Sequence, residues 1–426
     1  MLTDKAVGRG CGMTSEIAVM NQRAVALAAD SAVTLIAGGQ VVIRNDQRKL
    51  YNLVEGHPVG LMFFGIADIL GHPWDHLIEH YQKKKRPTAL PHLRDYAVSF
   101  TAMLDNLNEF FPPERQKDEY RKLLASVFRY IFGLAQFIKD SAQDETVSDA
   151  AVLESAIDRV WRDYQIREDG TQRADLPCFP AGFAQRVAQE YGAQTDELIA
   201  YGFAPFGLSQ KATQRLKDIG VFAVVKDLFL EDVTGLVFGG YGAEDRYPVV
   251  TTWFASAIIN GILKRTEAST DAIDSDTRSR IRVFADSEVT NAFIRGVDFN
   301  LERRFYGGFR TMMNVMIDQI VGAFPNVDAG ARESVRDSFK HDVVPRYLQA
   351  FHMMMAQYQQ SAFINPILRV LEIAGRKELG DTARELVGLN IFKKRIMAQK
   401  ETVGGAIDVA VISREGGFQW ASRQSG

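Results

Sequence analysis

The chain has 426 residues, 46% hydrophobic and 24% charged, an ordinary globular composition with length enough for one large domain or a core carrying a sizeable insertion. A formal net charge of −3 and a pI near 6.2, with no basic block, exclude general nucleic-acid binding. Two cysteines, Cys11 and Cys178, cannot make a disulfide framework and point to a reducing, cytoplasmic setting; no apolar run reaches the ~18 residues of a membrane span, and the opening MLTDKAVGRGCGM lacks the apolar centre of a secretory signal.

In chain order, EIAVM (16–20) and AVALAA (24–29) are short apolar runs of strand length separated by a hairpin-like NQR. With Gln22 at the centre of the turn, paired residues have numbers summing to 44, which sets Thr14 opposite Asp30. VTLIAGGQVVI predicts a second hairpin turning at Gly38-Gly39, and RNDQRKLYNL brings Lys49 back to the same end. A helix is expected at about 66–84. LRDYAVSFTAMLDNLNEFF, EYRKLLASVFRYIFGLAQFI, AAVLESAIDRVWRDYQIR and FAQRVAQEYGAQTDELIAYGF then carry apolar residues at helical spacing. Strands resume at TGLVFGG, PVVTTWFASAII and RIRVFAD. Helices follow through RTMMNVMIDQIVGAF, ESVRDSFKHDVVPRYLQAFHMMMAQYQQ and a segment near 380–399, and AIDVAVIS and FQWAS close the chain as strands. Strands, helices, strands: the order predicts an α+β fold with four layers, helix on sheet on sheet on helix.

Three polar side chains from three strands thus converge: Thr14, Asp30 and Lys49. A threonine hydroxyl is a poor nucleophile until a base takes its proton. An N-terminal amine, with a pKa of about 7.7–8.0, is a suitable base near neutral pH. A lysine cation favours the deprotonated hydroxyl, and a carboxylate fixes the lysine. The arrangement works only if Thr14 is the first residue of the mature chain.

At TSEIAVMNQRAVALAADSAVT the sequence resembles the start of proteasome β subunits and of the related bacterial ATP-dependent ring protease, both N-terminal-nucleophile (Ntn) hydrolases. The family begins its mature chain with Thr, places an acid sixteen residues later and carries a Lys-Leu pair on a third strand; the matching residues here are Thr14, Asp30 and Lys49-Leu50, with the Asp-to-Lys spacing about three residues longer. The resemblance implies that Thr34, closing DSAVT, pairs with substrate backbone as an added strand. GLMFFGIADILG resembles the family's strand-to-helix junction, GLVFGGYGAEDRYPVV a mid-domain strand, and GGAIDVAVIS the closing strand pair. It divides the chain into a leader or mis-assigned start at 1–13, a first half of an Ntn core at 14–87, a helical insertion at 88–232, and a second half with added helices at 233–426. It further implies self-association into a ring or related oligomer, a peptide or protein substrate, an unfoldase partner left unidentified, and no metal, organic cofactor or membrane.

The chain departs from the family pattern at several positions. The family's oxyanion glycine aligns with Leu61 to Phe64, leaving Gly65 slightly late, although a backbone N–H survives any side chain. The family's supporting serine has only RGVD near Gly296 as counterpart, and its later Asp and Ser fall at KETVGG, where Glu401 or Thr402 could substitute. Met13 stands where self-cleaving leaders end in Gly, so the simpler expectation is a start at Met13 with removal of that methionine.

Two other motifs compete. HLIEH (76–80) matches the His-x-x-Glu-His pattern of inverted zinc peptidases, but lies on an amphipathic helix without an evident third ligand, so a polar helix face is the reading kept. CGM at Cys11 resembles the Cys-Gly start of Ntn glutaminase domains, yet counting from Cys11 shifts the acid by three. The expectation is therefore a proteasome-like threonine hydrolase cleaving peptide or amide bonds, with Thr14, Asp30 and Lys49 catalytic and Thr34 and Gly65 against the substrate; the alternative is a scaffold or binding protein on the same fold whose chemistry has lapsed.

Overall fold

The computed structural model describes residues 15–37, 40–44, 47–84, 88–141, 148–167, 169–229, 233–285, 288–396 and 404–423, with residues 33–37 and 40–44 described by backbone alone. Thr14, Cys11, Glu401 and Thr402 lie outside the described residues, and so does the side chain of Thr34.

β1 (Ser15–Asn21) and β2 (Ala24–Asp30) form the first hairpin. Its loop has two residues rather than being centred on Gln22, because the Asn21 side-chain oxygen accepts the N–H groups of Arg23 (2.9 Å) and Ala24 (3.3 Å) and closes the turn there. The register runs from Glu16↔Ala29 to Asn21↔Ala24, a sum of 45. The expected pairing of Thr14 with Asp30 is thus corrected by one residue: extended, the ladder brings Asp30 level with Ser15. β3 (Val33–Ala37) and β4 (Gln40–Arg44) pair with Ala37 opposite Gln40; the turn expected at Gly38-Gly39 lies outside the described residues.

β5 (Leu50–Asn52) and β6 (Val59–Gly65) follow, then the short β7 (Asp68–Ile69) and β8 (His72–Pro73). The helix expected from residue 66 begins only at Trp74, as α1 (Trp74–Lys84). Upstream, Gly65, Leu70 and Gly71 hold positive φ, and Pro73 cannot sit inside a helix. Next come α2 (Leu93–Met103), α3 (Pro113–Ser141), α4 (Asp149–Gln165), α5 (Phe183–Phe203) and α6 (Gln210–Val225). β9 (Thr234–Gly240), β10 (Val249–Ile259), β11 (Ile262–Ala272) and β12 (Ser279–Ala285) resume the sheets; Asn260 and Gly261, both at positive φ, make the two-residue turn between β10 and β11. α7 (Glu288–Arg295), α8 (Phe299–Gly322), α9 (Ala329–Ser338), α10 (Val344–Gln359), α11 (Asn365–Ile373) and α12 (Arg376–Ile396) precede β13 (Ile407–Ser413) and β14 (Gly417–Ser422). The turns between α9 and α10 and between α10 and α11 are wide π turns, directly before Pro345 and Pro366. The wider turn relieves the clash of each proline ring with the preceding turn, so the helical path continues.

The result is a mixed α+β architecture with antiparallel sheets. One sheet has the order β12-β1-β2-β13-β14 and the other β11-β10-β9-β6-β5. β1 is buried along its whole length because both its faces are covered. Ala18 and Met20 share a core with Met62, Phe64 and Val237 of the second sheet. Ile17 and Val19 point the other way, onto Leu379, Ala383 and Val387 of α12. The outer face of the second sheet, through Leu61, Phe63 and Phe238, takes Trp74 and Leu77 of α1 and Phe100 of α2. Gly60 sets the spacing between the sheets: a Cβ there would lie 2.7 Å from Ile412 Cδ1 and 3.0 Å from Leu27 Cδ1. α3 to α6 extend the central core past β10, where Tyr120, Val127 and Ile131 join Val250 and Phe254.

Candidate active site

β2 ends in Asp30 and the segment entering β5 carries Lys49, so two adjacent sheet ends deliver a carboxylate and an ammonium to one point. Lys49 Nζ lies 2.7 Å from Asp30 Oδ1, and the side chains are 1% and 0% exposed. An ion pair this dry is costly to form unless further hydrogen bonds complete it. Asp30 Oδ1 also accepts the backbone N–H of Ser15 (3.1 Å), and Oδ2 accepts that of Gly404 (3.0 Å). The carboxylate is therefore tied to three segments: the start of β1, the entry to β5 and the approach to β13. Ser15 is itself held, its Oγ accepting a hydrogen bond from Asn390 Nδ2 of α12 at 2.6 Å.

One participant was not singled out in the sequence. Glu16, fully buried, places Oε1 3.4 Å from Lys49 Nζ, so the ammonium is shared by two carboxylates. The available signal was a charged residue heading an otherwise apolar strand run.

The other expected positions fall as follows. Thr14 is the residue bonded to Ser15 N, whose hydrogen bond to Asp30 is described above; its own placement is outside the described residues. Thr34 stands in β3 opposite Ile43. Gly65 closes β6 at φ +86°, opposite Thr234. Phe63, two residues before it, donates its N–H to Lys49 O (3.1 Å), and Ile66 donates to Val233 O (3.3 Å), so neither N–H is available to a substrate. Gly65 remains the candidate backbone donor, on the strand directly beside Lys49. Gly296 packs against the ring of Phe363 at the end of α7. His80 of the HLIEH segment leans edge-on against Phe110, with Nε2 3.6 Å from Glu109 Oε1. Among the described residues, no group of three His, Cys, Asp or Glu side chains is placed to hold a metal ion. None of their helices is long and apolar enough to cross a membrane.

Compared with known proteins, the chain matches no family model and no curated protein.

Proposed function

We propose that the chain is an Ntn hydrolase built on the four-layer αββα sandwich, with Thr14 as a nucleophile that cleaves peptide or amide bonds. The observation that carries the reading is the buried Lys49–Asp30 pair whose carboxylate also holds the N–H of the residue after Thr14. In this reading the Thr14 amine, through a water, takes the hydroxyl proton. Oγ attacks the carbonyl, and Lys49 stabilises the developing alkoxide while Asp30 positions Lys49. The Gly65 N–H faces the oxyanion, and the leaving amine receives the proton. Water, activated by the same amine, then hydrolyses the ester. β3, carrying Thr34, offers its edge to an extended peptide. The packing of α11–α12 on one sheet and α1–α2 on the other supports the layered arrangement.

A second reading, a scaffold without activity, is favoured by one observation: Glu16 competes with any alkoxide for the charge of Lys49. Intact mass of the purified chain and hydrolysis of a peptide-amide library separate the two. The hydrolase reading expects a chain that begins at Thr14 and turns over substrate, with turnover abolished in Thr14→Ala. A chain of that mass with turnover equal in Thr14→Ala would sink it.

A further inference from the structure

We propose that the apolar face of the hairpin formed by α8 and α9–α11 is a contact surface for a second copy of this chain, two hairpins closing as a four-helix bundle. The inference is independent of the hydrolase reading. On α8, Met313, Ile317 and Val321 pack against Val344 and Leu348 of the return helix and hold the hairpin together. Beside that buried stripe runs a second one. Leu301, Phe305, Met312, Met316 and Ile320 fall within about 100° of the helix circumference at 100° per residue, yet they are 46–61% exposed. Phe305 stacks on Phe351 of the return helix, with ring centroids 6.0 Å apart, but the hairpin leaves most of this second stripe open.

The return helix supplies the other wall. Met316, Ile320, Phe324, Val335, Phe339 and Tyr347 line a cavity of about 570 Å³ between the two helices. These six side chains are 44–61% exposed. At roughly 90 Å² left open on each, they and the three further ridge residues Leu301, Phe305 and Met312 present about 800 Å² of apolar surface. Monomers rarely expose a patch above about 300–600 Å², whereas a stable interface buries about 800 Å² per partner. The area therefore matches one side of a standard protein–protein interface.

Self-association fits better than other occupants. Ridge and groove lie on the same hairpin, so a two-fold axis seats the ridge of each copy in the groove of the other, as an isologous interface requires. A lipid surface calls for a cationic flank on an interfacial helix. Here the flanking charges are of mixed sign and several are paired within the hairpin, Asp318 with Lys340 at 2.8 Å and with Arg336 at 3.1 Å.

The test is sedimentation velocity of the full chain between 0.1 and 50 μM. Wild type is expected to sediment as a dimer or an even-numbered assembly. The double variant Ile320→Asp/Phe339→Asp should raise the dissociation constant at least 100-fold, while Phe137→Asp, at an exposed site on α3, leaves it unchanged. Hydrogen exchange of the wild type decides the matter without variants: peptides spanning 309–347 should gain protection as concentration rises. A monomeric wild type, association unaltered in the double variant, concentration-independent exchange, or recruitment of a monomer to anionic vesicles would each overturn the proposal.

Discussion

Replacing Lys49 with methionine keeps the volume of the stem and removes its charge. Asp30 and Glu16, both with fully buried side chains, then lose a common counter-ion that sat 2.7 and 3.4 Å away. Removing one partner of a buried ion pair costs roughly 3–5 kcal/mol, and two stranded carboxylates put this variant at the upper end of that range. Glu16→Gln provides the internal control. In the wild type it removes the longer arm of the cluster and should cost about 1–2 kcal/mol. In the Lys49→Met background it removes one of two facing acids and should instead return about 1–2 kcal/mol, because the two positions are coupled. Urea midpoints at constant m-value, read by tryptophan fluorescence and circular dichroism, measure each term. A loss below about 1 kcal/mol for Lys49→Met, or the same sign for Glu16→Gln in both backgrounds, would refute a shared buried cluster.

Other consequences follow from the same packing. Asn390→Leu removes the donor to Ser15 Oγ and should cost about 1–2 kcal/mol while lowering kcat more than it raises KM; an unchanged kcat would show that anchoring β1 does not matter for chemistry. Gly60→Ala places a methyl group against Ile412 and Leu27 and should cost about 1–3 kcal/mol in urea unfolding, with no loss expected if the sheets were not in close contact. Burial pulls the Lys264 ammonium down from 10.5 to about 7, against an opposing pull from Asp227. Below about 7 Lys264 is charged in both folded and unfolded chains and the penalty is complete; from there up to 10.5 the unfolded chain binds the extra proton, so stability rises with pH. Wild type should therefore gain on Lys264→Met between pH 6.5 and 9.5, and a difference that stays flat would contradict the buried ammonium.

The strands were legible where their pattern was local. TGLVFGG forms β9 end to end, and the paired apolar runs around NQR form β1 and β2, because short apolar segments flanked by turn residues leave few alternatives. The register was missed by one because the deciding interaction is a side chain, Asn21 folding back on two N–H groups, which apolar periodicity does not encode. β11 escaped notice although Asn260-Gly261 is a strong hairpin signal: ILKRTEASTDA is too polar to read as a strand when hydrophobicity is the guide. At the site, the meeting of Asp30 and Lys49 could be read from strand order. Glu16 could not, because its partner lies 33 positions away and only the packed sheet ends bring the two together. The α8–α11 segment was legible as helix, but a helix that buries one apolar stripe and exposes another carries the same sequence pattern as one that is fully packed.

The central claim is a nucleophilic Thr14 served by the Lys49–Asp30 pair, and covalent labelling tests it most directly. Purified protein is treated with a threonine-directed electrophile such as a β-lactone and the adduct is located by peptide mass spectrometry. The account predicts a single adduct on the peptide that begins at Thr14, absent from Thr14→Ala and slowed at least 100-fold in Lys49→Met. A folded chain with a free Thr14 amine that takes no label, or a label that persists in Thr14→Ala, would contradict it.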